Sequence, residues 1–338
     1  MNTKTQTLAT ILMVAMLWGN AVWGQGFRNV GYAGANFLKI PVEPVGAALG
    51  NAIVARADGV LGLYWNPGAI AQSEKTEILA STVDWIADTR VSFLGVIHPL
   101  PFGTLGISAT ALTMKEMEIT TEYLPGGTGQ FFGAGSYAFG LSYSTRIIDR
   151  FSFGITAKYI YEYIWETHGS TFAFDLGSVY ITDFQNLRIG MRIANFGGGM
   201  TFSGAPIDGK AEEVASSGVS FPNDPRLDRV SEKSSLPQSF TVGVSIDPYR
   251  TDEHRLTIMA AVNDPNDNVT QVVVGGEYAF EDLVFVRAGY KSGMDEQSYT
   301  LGVGLRGELA GVLGSFDYAY SSMGILGKIN TFSLRFGF

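Results

Sequence analysis

Apolar and polar residues alternate with a period of two along most of this chain, and the clearest run is Phe151 to Trp165. Phe151, Phe153, Ile155, Ala157, Tyr159, Tyr161, Tyr163 and Trp165 fall on one face. Ser152, Gly154, Thr156, Lys158, Glu162 and Glu166 fall on the other, with Ile160 and Ile164 breaking the pattern. Successive side chains point to opposite faces of a strand, so this period predicts extended structure with one apolar face. Strands of soluble domains average about five or six residues, and this run is far longer. Aromatic rings crowd both ends of the apolar face around the small Ala157, the distribution expected at two lipid–water boundaries. The chain ends in the same way: Phe332, Leu334, Phe336 and Phe338 alternate with Ser333, Arg335 and Gly337. An unprotected phenylalanine-rich final strand invites pairing with other chains, and closing a barrel against the first strand removes that edge.

The same alternation predicts strands near 76–85, 89–98, 103–113, 134–145, 151–165, 170–181, 186–196, 237–247, 254–263, 269–280, 284–291, 298–308, 312–321 and 328–338. That makes about fourteen, an even number as single-chain bacterial barrels require. If residue 76 enters from the periplasm, short turns near 99–102, 147–150, 182–185, 248–253, 281–283 and 310–311 share one end. The two longest connections, 114–133 and 197–236, then fall together at the external end, as outer-membrane barrels arrange them. The expected architecture is an all-β, fourteen-stranded antiparallel transmembrane barrel.

Ahead of the strands, Lys4 precedes an apolar run from Leu8 to Leu17, and Val22-Trp23-Gly24 supplies small residues for cleavage. Residues 1–24 read as a secretory signal peptide, because the run is too short for a spanning helix. Residues 25–75 do not alternate; they are rich in Gly and Ala, with a short helix expected near Val45 to Ala57. Irregular backbone at membrane depth must be shielded from lipid, so this segment is expected as a hatch inside a barrel formed by residues 76–338, a small periplasmic cap being the alternative. Export, an absence of spanning helices and long alternating strands place the chain in a bacterial outer membrane, with lipid as its first partner.

Within that segment lie Gly46-Ala47-Ala48-Leu49-Gly50-Asn51-Ala52, Ala55-Arg56-Ala57-Asp58-Gly59 and Tyr64-Trp65-Asn66-Pro67-Gly68-Ala69-Ile70-Ala71. This succession resembles the amino-terminal signature of the PorV/PorQ family of outer-membrane proteins, within the FadL-like barrel superfamily. The motif covers about residues 43 to 72, with Gly68 where alanine is common and Gly59 after Asp58. Similarity to PorV or PorQ implies a component of type IX protein secretion, receiving or attaching exported cargo at the cell surface. Similarity to FadL implies instead a hatch and a channel for long-chain fatty acids or other hydrophobic small molecules. Asp58, Trp65, Asn66 and Pro67 are the hatch positions that carry the resemblance.

Composition narrows the chemistry. A net charge of −9 argues against a nucleic-acid partner, and zero cysteines remove disulfides and thiolate chemistry. Gly302-Val303-Gly304-Leu305-Arg306-Gly307 matches a dinucleotide fingerprint but lies in an alternating strand, where no helix amino terminus can meet a phosphate. His168 and Ser170 are near neighbours in an expected external loop and make no catalytic pair by adjacency alone. Asp264, Asn266 and Asn268 have calcium-loop spacing but lack its glycine and terminal glutamate. No enzyme, metal or cofactor is expected. The polar constellation is the inward-facing set Lys158, Glu162, Asp175, Arg188, Arg192, Glu277, Arg287, Lys291, Arg306, Asp317 and Arg335. Mutual ion pairing is one use of these groups, and unpaired arginines meeting a ligand carboxylate are another.

Overall fold

The computed structural model describes residues 31–204, 232–293 and 297–338. The expected signal peptide and most of the 197–236 connection lie outside these residues. Fourteen long strands build one antiparallel sheet: β1 Glu77–Asp84, β2 Arg90–Leu100, β3 Gly103–Thr113, β4 Ala134–Ile148, β5 Phe151–Ile164, β6 Thr167–Ile181 and β7 Arg188–Gly197. They continue as β8 Ser239–Arg250, β9 His254–Pro265, β10 Gln271–Phe280, β11 Val284–Ser292, β12 Tyr299–Leu309, β13 Val312–Ser322 and β14 Lys328–Gly337. A three-residue strand, Phe202–Gly204, adds to β6, and Met117–Glu118 pairs with Phe131–Phe132 inside an external loop. Each long strand pairs with its sequence neighbour, and β14 pairs with β1 from Gly337 opposite Glu77 to Asn330 opposite Asp84. The sheet therefore closes, and neither the first nor the last strand is an edge.

Burial alternates along the strands as the sequence pattern predicts. Phe139, Leu141, Ile155, Val286, Leu301, Leu305, Leu334 and Phe336 are exposed on the outer face. A continuous belt of exposed apolar side chains is what lipid, and not water, would cover. Inward neighbours such as Ser142, Thr156, Asp175, Thr300 and Ser333 are buried. Ile160, the exception in the β5 pattern, is wholly buried and packs in the interior core.

Several boundaries move for identifiable reasons. β4 runs on to Ile148 through a bulge after Arg146, and β8 runs to Arg250 through an irregularity after Ile246. Those irregularities break the strict alternation from which strand ends are read. β6 starts at Thr167, so His168 and Ser170 belong to a strand and not to a loop; both face outward. Gly302 to Gly307 lies wholly within β12, and no strand-to-helix turn accompanies it.

Residues 36–72 fold into short helical pieces that fill the barrel. They are α1 Pro44–Ala48, α2 Gly62–Trp65, and 3-10 turns at Asn36–Lys39, Ala52–Ala55, Gly59–Leu61 and Pro67–Gln72. The short helix expected near Val45 to Ala57 is present as α1 at its start, followed by the turn at Ala52–Ala55. Gly50 and Asn51 both adopt left-handed backbone, at φ +64° and +70°, which ends α1 and redirects the chain. Leu49, Ile53, Val54, Leu63 and Ile70 are at most 2% exposed and share one core with inward wall residues such as Leu79, Ile97 and Val273. The hydrophobic core of this protein is thus the junction of hatch and wall, while the outer surface is the apolar belt.

Candidate functional site

The hatch is fixed from several directions. Glu43 caps α1 with its carboxylate, accepting from Val45 N at 2.7 Å and Gly46 N at 2.6 Å, and it also accepts from Trp65 Nε1 at 2.5 Å. Burial pushes the Glu43 carboxyl above its usual range, and the three donated hydrogen bonds offset part of that shift. One buried side chain therefore joins the start of α1 to the end of α2. Sequence reading passed over Glu43, although Glu followed by Pro44 at the head of an apolar run is a cap signal.

Asn66 begins the 3-10 turn at Pro67. Its Oδ1 accepts from Gly68 N at 3.0 Å, and its Nδ2 donates to Val54 O at 2.7 Å and to Ser178 O of β6 at 3.1 Å. Glycine is required on the facing wall: a Cβ at Gly177 would lie 2.1 Å from Asn66 Oδ1, and one at Gly154 would lie 2.4 Å from Pro67 O. Trp65 packs edge-on against Tyr64 with centroids 4.8 Å apart. The Tyr64 hydroxyl donates towards Ile40 O at 2.8 Å and Leu38 O at 3.2 Å. Burial raises its pKa well above the ordinary tyrosine value, so it remains a neutral donor.

Ion pairs tie hatch to wall and strand to strand. Arg188 Nη1 reaches both carboxylate oxygens of Asp58 at 2.7 Å, and Arg56 meets Asp247 at 2.7 Å. Asp175 is fully buried between Lys158 and Arg192, each at 2.7 Å, and also accepts from Asn195 N at 2.8 Å. Asn195 has φ +56° where the β6–β7 register shifts, so the Asp175 carboxylate also braces a bulge. Arg287 lies between Glu277 and Asp317, both at 2.7 Å, and Arg255 adds a second contact to Glu277 at 3.3 Å. Glu162 accepts from Ser136 Oγ at 2.8 Å, and Lys291 donates to Gln297 Oε1 at 3.0 Å. Arg306 and Arg335 make no ion pair among the described residues. The pairings of Asp247, Arg255 and Asn195 carry no sequence signal of their own, because bulges and cross-barrel register bring these groups to their partners.

Two cavities flank the hatch. An external cavity of about 680 Å³ is lined by Phe37, Leu38 and Ile40 of the hatch, Trp85 and Leu112 of the wall, and floored by Tyr64 and Trp65. Arg192, 5.6 Å from the Tyr64 ring centroid, Lys39 and Lys291 add charge to this space, and Asn51, Asn195, Asn263, Gln271 and Gln297 add amide side chains. A periplasmic cavity of about 270 Å³ is lined by Val45, Leu49 and Ile53 of the hatch with Arg306 and Arg335 of the wall. The two share no lining residue, so α1 and the turn at Ala52–Ala55 stand between them. Among the described residues no cluster of His, Asp and Glu could hold a metal ion.

No protein-family model matches the chain, and no curated protein matches its sequence. Solved structures do. A FadL homologue from Pseudomonas aeruginosa superposes with a TM-score of 0.56 at 14% identity, covering 88% of this chain and 98% of its own. The Pseudomonas putida toluene transporter TodX gives 0.55 at 10% identity, covering 88% and 98%. The Ralstonia pickettii toluene transporter TbuX gives 0.51 at 12% identity, covering 87% and 97%. Nothing in these comparisons points to PorV or PorQ in particular. Identities this low speak for the fold, and the fold is that of a FadL-like, fourteen-stranded outer-membrane β-barrel.

Proposed function

We propose that this barrel is a channel for small hydrophobic molecules, admitted from the cell exterior and held first in the external cavity. The observation that carries this reading is a cavity of about 680 Å³ seated directly on the hatch, in which aromatic and aliphatic side chains from Phe37, Leu38, Ile40, Trp65, Trp85 and Leu112 are joined by polar groups such as Asn195, Asn263 and Gln271. Cavities of that size and lining suit small-molecule ligands. The similarity to TodX and TbuX, both described as toluene transporters, adds support and suggests monoaromatic compounds as the first class to try. The separation of the two cavities means that α1 and the turn at Ala52–Ala55 have to shift for a solute to pass. Uptake of radiolabelled toluene into cells with and without the barrel tests the reading, beside a Thr241→Trp variant that fills the external cavity. Uptake should fall about tenfold in the variant; uptake equal in barrel-bearing and barrel-free cells would sink the proposal.

A role in type IX secretion is the second reading, supported by the motif at residues 43–72 alone. Co-purification of exported proteins bearing carboxy-terminal secretion signals would favour it. The central part of the long external loop, residues 205–231, lies outside the described residues.

A further inference from the structure

The periplasmic cavity contains an arrangement that passage of neutral molecules does not use. Arg306 of β12, Ser315 of β13 and Arg335 of β14 occupy one register row, Arg306 opposite Ser315 and Ser315 opposite Arg335. Their strand neighbours Leu305, Phe316, Leu334 and Phe336 are exposed on the lipid face, so all three row members face the lumen. Adjacent strands lie about 4.8 Å apart, which puts the two arginine Cα atoms about 10 Å from each other. Two guanidinium groups can close on a single small group across that span.

Each member of the row has unused hydrogen-bonding capacity. Ser315 Oγ and Arg306 Nε are buried without a partner. Neither arginine is ion-paired among the described residues, and the nearby carboxylates all have other partners. Glu277 and Asp317 hold Arg287, Asp282 holds Arg255, and Glu77 accepts from Ser73 Oγ and Val60 N. Phe285 has Arg306 over its ring at 4.7 Å and Arg287 at 5.0 Å. That contact fixes where the Arg306 guanidinium sits without neutralising it. Two unpaired cations with a buried hydroxyl between them repel each other and leave donors unmet, and one anion would resolve both costs.

We infer that this row binds an oxyanion, a carboxylate or phosphate group offering at least two acceptor oxygens, at the periplasmic mouth of the barrel. Arginine presents paired donors in a planar fork suited to such groups, and Ser315 Oγ supplies a further donor between the forks. The cavity that Arg306 and Arg335 line also holds Asp58, Glu77 and Glu277, of which Asp58 is paired with Arg188 and Glu277 with Arg287. Leu49, Ile53 and Leu313 line it too, leaving an apolar wall beside the anion for a small hydrophobic body. A chain of net charge −9 does not attract anions over its surface, which makes specific binding easy to separate from adsorption. This site does not depend on which molecule crosses the hatch.

The test is calorimetric titration of the full-length, detergent-folded barrel with inorganic phosphate and, separately, with benzoate. One site per barrel is expected for at least one of them. Phosphate alone would identify a phosphate group as the ligand, and benzoate alone a carboxylate on an apolar body. Arg306→Gln with Arg335→Gln should weaken binding at least tenfold, and Ser315→Ala by about three- to tenfold. The Ser315→Ala and Arg335→Lys variants keep the charge of the row, so they carry the test if the double variant does not assemble. Binding of neither probe, or affinity unchanged across the variants that fold, would overturn the inference.

Discussion

Replacing Asn66 with Ala should release the hatch while leaving the barrel closed. The side chain makes three hydrogen bonds: it caps Gly68 N and donates to Val54 O and Ser178 O, the last on the barrel wall. Losing a cap of this kind costs about 1 kcal/mol. The two carbonyls left in a buried site add roughly 1–3 kcal/mol each. Asn66 is wholly buried, so water cannot replace these bonds without opening the hatch. A total of about 3–7 kcal/mol corresponds to a rise of some 10²- to 10⁵-fold in the population of the open hatch, with a factor of ten for each 1.4 kcal/mol. The cysteine-free sequence makes this measurable. Ala69 lies in the same turn and is fully buried, so a cysteine introduced there reacts with a maleimide only when the turn lifts from the wall. Ala69→Cys should label slowly alone and at least a hundredfold faster beside Asn66→Ala, with the same heat-modifiable mobility on gels. Labelling rates within twofold of each other would refute the argument that Asn66 pins the hatch.

Other perturbations should separate the lipid face, the lumen network and the chain end. Ile155→Arg places a cation on the lipid face, at a cost of about 2–4 kcal/mol if it lies near the midplane, and should lower the urea midpoint of refolding. Thr241→Arg, whose side chain is half-buried at the external cavity and gives up one hydrogen bond to Asn263 Oδ1, should be tolerated better; equal midpoints would show the strand phase to be wrong. Thr156→Arg is not a neutral control, because Thr156 is fully buried and hydrogen-bonded to Ser142 Oγ at 2.7 Å. Asp175→Asn leaves Lys158 and Arg192 without their shared anion and should cost about 3–5 kcal/mol, read as a lower denaturant midpoint. Phe338→Ser removes an exposed apolar residue whose N–H bonds to Thr76 O, and should reduce the folded fraction recovered in outer membranes; an unchanged yield would count against its anchoring role.

The barrel was legible because its constraint is local. Lipid on one side and hatch or solvent on the other impose a period of two, and that period survives in single strands such as Phe151 to Trp165. Strand ends were less legible where an extra residue enters a strand, as after Arg146 and Ile246, since a bulge reverses the phase without changing composition. The hatch was harder still. Its Gly- and Ala-rich text predicts a short helix near Val45 to Ala57 without saying where it stops, and Gly50 and Asn51 take left-handed backbone to bring Val54 and Ala55 against the wall. Which lumen charges meet is set by barrel closure. Arg188 finds Asp58 across 130 positions of sequence and Arg56 finds Asp247 across 191, distances at which no spacing rule operates. The row of Arg306, Ser315 and Arg335 becomes visible only once the register of β12, β13 and β14 is known.

The claim that a small hydrophobic molecule passes by displacement of the hatch meets its most direct test in a reversible lock. Asp58 and Arg188 touch at 2.7 Å, and the Asp58 side chain is 42% exposed, so cysteines at both positions can be joined by a short cleavable thiol cross-linker. Toluene uptake by cells carrying this double variant should drop to the barrel-free level when the hatch is tied to β7, and recover when the linker is cleaved. Uptake that is the same with the hatch tied and released would contradict the account.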